Sequence, residues 1–278
     1  MSIDFAAIVT VAAQEARIHV RNKWTVIFAF VFGALALAIS YFGLVTAGAA
    51  GFQGFERTTA SLLNLVLYLI PIVALTMGTL SLTGERGARE LLFSQPVGRG
   101  EILLGKVLGL FVSLAAATFF GFGLSGLVIA RQAGTAGVAR YVAFAGLALW
   151  LALVFLSLGA LVAVAAKSRA RAFGVSLFLW FLFVIFYDLL IMGVAFVVKE
   201  RTANLMIFLA LFGNPVDLVR VASLITLSDP AIFGAAGAAL VKFLGGRAAG
   251  GAAVAAALAL WTIVPLVIAA RVLRRQDL

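Results

Sequence analysis

The chain has 278 residues, 64% of them hydrophobic and only 12% charged, with 28 glycines, no cysteine and a mean hydropathy of +1.17. Soluble domains carry about a quarter charged residues, so a water-soluble enzyme is excluded, and the missing cysteines exclude disulfides, thiolate nucleophiles, iron–sulfur clusters and cysteine zinc sites. The 21 basic against 11 acidic residues give a net charge of +10, which in a membrane protein answers to an anionic leaflet rather than to nucleic acid, and the single histidine, His19, argues against a histidine-built metal centre.

From the N-terminus, Phe5, Ile8, Val9, Ala12, Ala16 and Val20 recur at three- and four-residue steps. This predicts an amphipathic helix over about Asp4 to Lys23, lying in the interface plane before the chain turns into the membrane near Trp24. It reads as an elbow packed on the other spans, although a plain membrane anchor has the same pattern. Crossing about 30 Å of hydrocarbon takes roughly 20 apolar residues. Six stretches are long enough: 24–45, 61–82, 107–130, 141–166, 172–198 and 248–270. The expected fold is therefore an all-α integral membrane bundle, a single helical domain over 1–278. Ala47-Gly48-Ala49 after the first run mimics a signal cleavage site. That run exceeds the 7 to 15 residues of a signal core, and Asp4 and Glu15 precede it, so it is expected to remain as a span.

Between the second and third spans, Thr83 to Lys106 forms a polar connection in which Glu85 to Ser94 predicts a short helix stopped near Pro96. Within it, the apolar Leu91, Leu92 and Phe93 are flanked by Glu85, Arg86, Arg89 and Glu90, with Arg99 following. Such a cluster suits docking of a soluble partner, or a loop tucked against headgroups. Gly100, Gly105 and Lys106 match a phosphate-loop pattern, but Val107 stands where a hydroxyl is needed and bulky apolar residues fill the loop. The Gly121, Gly123 and Gly126 pattern lies inside the third span among phenylalanines. Small residues there, like Gly105 and Gly109, let a neighbouring backbone approach; both patterns read as packing, not nucleotide binding.

In the fifth span Asp188 falls near the middle of the run, where a charged side chain costs about 2.5–3.5 kcal/mol. It is expected to face protein or water. Asp188, Tyr187 and Asn64 are candidates for a translocation pathway, with a hydrogen-bonded helix contact as the alternative for Asp188. Pro71 and Pro265 sit within spans and are candidate kinks. In the long segment 199–247, the apolar patches Asn204–Phe212 and Ala231–Val241 are too short to cross and read as interfacial or re-entrant. Asn214 is placed to cap a helix starting at Pro215, with Asp217 near its positive end. Val216, Leu218, Val219, Val221 and Leu224 are apolar enough to lay that helix on the membrane surface. It would be an outer gate, a landing site for a periplasmic partner, or simple loop stabilisation.

Orientation follows from the basic residues of short loops. With both termini inside, thirteen fall on the inner side (Arg17, Arg21, Lys23, Arg86, Arg89, Arg99, Lys106, Lys167, Arg169, Arg171, Arg271, Arg274, Arg275) against three outside, Arg57, Arg131 and Arg140. Both termini are therefore expected in the cytoplasm, with the protein in the inner membrane.

Glu85, Gly87, Glu90-Leu91-Leu92-Phe93-Ser94, Pro96-Val97, Arg99-Gly100, Glu101-Ile102-Leu103-Leu104 and Gly105-Lys106 together resemble the coupling-helix signature of type-2 ABC exporter permeases. Glu15, Arg21, Asn22, Lys23 and Trp24 resemble that family's elbow helix. Pro96 to Gly100, Tyr187-Asp188-Leu189-Leu190 and Asn214-Pro215-Val216-Asp217 are most similar to the branch serving nitrous oxide reductase maturation. The likeness is strong to about Lys106 and patchy beyond Val198, and it departs at Ala88 and Arg89. It implies a permease dimer, two copies of this chain, driven by a separate cytoplasmic ABC ATPase that binds ATP and Mg. It further implies a periplasmic accessory protein and a sulfur species as cargo for copper–sulfur cluster assembly, with no cofactor held by this chain. A general exporter of drugs or lipids, an integral membrane lipid-modifying enzyme using Asp188, and a structural scaffold are the competing readings.

Overall fold

A computed structural model describes residues 4–47, 51–83, 98–134, 137–166, 168–197, 206, 209–227 and 245–275. The first helix, α1 (Phe5–Val20), begins where Asp4 Oδ1 accepts the backbone N–H of Ala6 and Ala7 at 2.9 and 3.3 Å, satisfying donors a helix start leaves unpaired. Asn22 repeats the device for α2 (Lys23–Ala47), its Oδ1 accepting the Trp24 N–H at 2.9 Å. The chain continues through α3 (Gly51–Leu82), α4 (Arg99–Ala133), α5 (Val138–Ala165) and α6 (Arg169–Phe181). A π turn at Leu182–Phe186 joins α6 to α7 (Tyr187–Val197), and a 3₁₀ turn at Leu211–Gly213 precedes α8 (Pro215–Leu227). The last helix is α9 (Arg247–Arg275).

Among the described residues, six helices are long and apolar enough to cross a membrane, over Lys23–Gly43, Ser61–Leu82, Arg99–Arg131, Val138–Ala165, Arg169–Val194 and Ala248–Arg275. One boundary differs materially from the sequence reading: Arg99 to Lys106 is the first two turns of the third span, not loop. Glu101 explains it. Its Oε2 accepts the Gly98 N–H at 2.9 Å, closing a cap that starts the helix early.

The fourth span forms the centre. Of its most apolar stretch 67% is buried, against 11% for the fifth span at the periphery. Helices α3 and α5 cross at a glycine pair: a Cβ on Gly159 would lie 2.8 Å from the Leu75 carbonyl, and one on Gly78 3.0 Å from that of Leu156. Backbone contact of this kind substitutes for the hydrophobic drive that lipid removes. Thr79 Oγ1 donates to the Gly159 carbonyl at 3.3 Å and lies 2.6 Å from Ser176 Oγ, bringing α6 to the same crossing. Further along, Phe32 seats over Gly121 and edge-on to Phe122, which meets Tyr141 and Phe144 edge-on. The Gly121, Gly123 and Gly126 run thus serves close packing of α4 on α2 and α5; only Gly123 has open space beside it.

Candidate functional site

Two polar nodes lie at opposite ends of the bundle. At the end that carries both termini, α1 lies along α4. Gly105 and Gly109 make this possible: their missing side chains admit Val11, the Ile8 carbonyl, the Ala12 carbonyl and Glu15, with distances of 2.5 to 3.0 Å from a would-be Cβ. One turn on, Ser113 Oγ donates to the Ala16 carbonyl at 3.2 Å.

Glu15, only 6% exposed, occupies the middle of this seam. Its Oε1 accepts from Ser81 Oγ and faces His19 Nε2 at 3.2 Å, while its Oε2 accepts from Lys106 Nζ at 2.9 Å. Burial alone would raise this carboxyl, but His19, Lys106 and Ser81 overcome it and hold it at about 2. Ser81 ends α3 and Lys106 lies in the second turn of α4, so one carboxylate ties the N-terminal helix to both flanks of the connection 84–97. A second tie runs through Glu101, whose Oε1 accepts the Asp4 N–H at 2.9 Å. Arg99 Nη1 donates to the Leu273 carbonyl at 3.2 Å, adding the last span to the same end.

At the other end the π turn shapes the site. It frees the Phe183 carbonyl, which accepts Asn214 Nδ2 at 2.8 Å. Asn214 is fully buried; its Nδ2 also donates to Asp217 Oδ2 at 2.8 Å, and its Oδ1 accepts the Val216 N–H at 3.0 Å. The predicted cap at Pro215 is therefore present and doubly anchored. Arg220 bridges two helices, donating through Nη1 to Asp217 Oδ1 at 2.6 Å and Asp188 Oδ2 at 2.8 Å. Burial pushes the Asp217 carboxyl upward; Arg220 pulls against it and Asp188 adds to the rise. Tyr187 donates to the Ala210 carbonyl at 2.7 Å, against Gly213, where any side chain would collide with its hydroxyl.

A family profile for ABC-2 family transporter proteins matches residues 9–278, almost the whole chain. The chain belongs to that family. This ABC-2 permease is 33% identical over 275 residues to a protein of Pseudomonas aeruginosa named probable ABC transporter permease protein NosY, covering 97% of this chain and 98% of that one. It is 31% identical over 225 residues to a protein of the same name from Stutzerimonas stutzeri, covering 77% and 80%.

In the permease, Asp188, Tyr187, Asn214, Pro215 and Asp217 come together at one end of the bundle. Asn64 is exposed on α3 and Arg99 stands at the opposite end. Glu85, Arg86, Arg89, Glu90, Leu91, Leu92 and Phe93 lie outside the described residues. Asp188 faces protein, paired with Arg220 of a neighbouring helix, with its side chain 39% exposed. One expectation needs correcting. The capped helix does not lie on the membrane surface: Val216, Leu218 and Val219 are fully buried in the main core, and α8 packs between α5, α9 and α3. Its apolar residues circle the helix, so burial satisfies more of them than a surface could. Sequence reading missed Arg220, although Asn214, Asp217 and Arg220 follow at three-residue steps. It also missed that Glu15, Ser81 and Lys106 converge; only the Glu15 and His19 spacing of four hinted at it.

Proposed function

We propose that the protein is the membrane subunit of an exporter in the cytoplasmic membrane, with both termini in the cytoplasm. Two copies pair with two cytoplasmic ATPase subunits, which bind ATP and Mg. Similarity to permeases along nearly the full chain is the observation that carries this reading. In it, the connection 84–97 is the lever. Glu85, Arg86, Arg89, Glu90, Leu91, Leu92, Phe93 and Arg99 form the surface met by the ATPase, and approach of the ATPases swings the two permease copies between arrangements. Motion there reaches α1, α3 and α4 together, because Glu15 bonds to Ser81 and Lys106 on the connection's two flanks.

In the same reading Asp188, Tyr187 and Asn64 border the pathway, and Asn214, Pro215 and Asp217 hold the outer gate or receive a periplasmic protein. The cargo is a sulfur species for copper–sulfur cluster assembly of nitrous oxide reductase. The shared name of the two relatives and the resemblance at Pro96–Gly100, Tyr187–Leu190 and Asn214–Asp217 support that branch. The test is co-purification with a cytoplasmic ABC ATPase. Replacing Glu85 or Glu90 with Lys is expected to keep the permease folded while transport-linked ATP turnover falls. Unchanged association and turnover in both variants would overturn the assignment of the connection. Cargo is tested separately, by whether deletion leaves nitrous oxide reductase without its copper–sulfur cluster.

A further inference from the structure

A groove of about 340 Å³ opens at the termini end between α1, α4, α5 and α9. Ile8, Val9, Leu104, Leu108, Leu153 and Leu266 line it. The one hydroxyl in its wall, on Thr262, is already spent on the Leu258 carbonyl at 2.8 Å. Its mouth faces outward from the bundle, since Val9 is 65% and Leu108 42% exposed.

A cation stands over this apolar groove. Gly100 lies one turn before Leu104 on the same face of α4, and the Arg274 guanidinium comes within 3.5 Å of where a Gly100 Cβ would be. On α9, Arg274 is eight residues beyond the lining Leu266, about 12 Å along a helix axis. That is the separation of a headgroup phosphate from the upper part of an acyl chain. Arg274 is exposed and makes no hydrogen bond or ion pair among the described residues. The three described acids at this end do not compete for it, Glu15 being held by Ser81, His19 and Lys106. Asp4 Oδ1 accepts the N–H groups of Ala6 and Ala7, and Glu101 accepts those of Asp4 and Gly98. Arg271 and Arg275 flank it on the same helix end.

We propose that this groove is a binding site for an anionic glycerophospholipid, one acyl chain lying along Leu104, Leu108 and Leu266 and the phosphate held by Arg274. A chain with no polar atoms matches a wall whose one hydroxyl is already bonded within its own helix, and a guanidinium one turn above matches the phosphate. The extra negative charge of an anionic headgroup is favoured by Arg271 and Arg275.

The experiment is native mass spectrometry of the delipidated full chain in detergent with dioleoyl phosphatidylglycerol as probe. Arg274→Gln and the groove-filling Leu104→Trp are each expected to lower the retained lipid about tenfold, as loss of a charge-assisted contact or of the seat would. Arg275→Gln should change retention less than about twofold. Glycerol phosphate in excess should not displace the lipid. Retention that survives either Arg274→Gln or Leu104→Trp, or displacement by glycerol phosphate, overturns the site. Each variant must melt within about 2 °C of the parent without lipid. Should Leu104→Trp fail that check, Leu104→Phe takes its place with the same expected loss.

Discussion

Glu15 shows how a single carboxylate sets the behaviour of one end of the bundle. Its pKa is held at about 2, below the ordinary value of 4.5, so folding favours its charged form. The stabilisation is complete above pH 4.5 and is lost as pH falls through about 2. Melting temperatures of the parent should fall across that window. Glu15→Gln should be less stable at pH 7 by roughly 2–3 kcal/mol and lose the acid dependence. A flat parent profile between pH 5 and 2 would remove the argument. At the other end Arg220 serves two acids. Replacing it with Met leaves Asp188 and Asp217 facing each other without a cation and, in this partly exposed cluster, should cost about 1–3 kcal/mol. Asp188→Asn, at a partly exposed position whose loss leaves the Asp217 pair intact, should cost under about 1 kcal/mol. Denaturation of the two variants side by side checks the order. Asp188 was visible in the sequence as an acid within an apolar run; its partner was not, because Arg220 lies 32 positions away and only the fold brings them together.

Helix packing here depends on glycines whose roles differ although the sequence presents them alike. Gly159 leaves no room against the α3 backbone, with the Leu75 carbonyl 2.8 Å from a Cβ, whereas Gly123 has nothing within 4 Å. Gly159→Val should therefore separate α3 from α5 and destabilise by about 1–3 kcal/mol. Gly123→Ala should be neutral or slightly stabilising, since alanine is the better helix former. Equal melting temperatures for the two variants would contradict the crossing. Which glycines carry contacts was legible at Gly105 and Gly109, where the spacing of four marks a helix face, and in part in the Gly121, Gly123 and Gly126 run, of which Gly121 and Gly126 meet Phe32 and Tyr141. The early start of α4 was missed because Arg99, Glu101 and Lys106 put three charges ahead of the continuous apolar run, while its helical state depends on Glu101 capping Gly98 and Asp4 together. The α8 cap, by contrast, is local chemistry of Asn-Pro-x-Asp, and sequence reading found it.

For the whole molecule, the absence of native cysteine makes topology directly measurable. An impermeant maleimide should label Arg140→Cys in intact cells and Leu92→Cys only after permeabilisation; the reverse pattern would invert the orientation read from the basic loops. Six spans were readable from composition alone because lipid imposes a length and polarity requirement that each segment meets by itself; the family was readable only from the resemblance carried by the motifs between Glu85 and Lys106. Which span is central and which face meets which neighbour were not, because in an apolar solvent nearly every side of a span is apolar and periodicity fades. The fourth span has the strongest hydropathy, yet it is placed at the centre by Gly159 and its contacts, not by that figure. Local residues therefore determined the helices, their caps and their membrane-crossing lengths. Tertiary structure alone decided the two polar nodes, since each joins residues far apart in the chain whose charges are tolerable only when they meet.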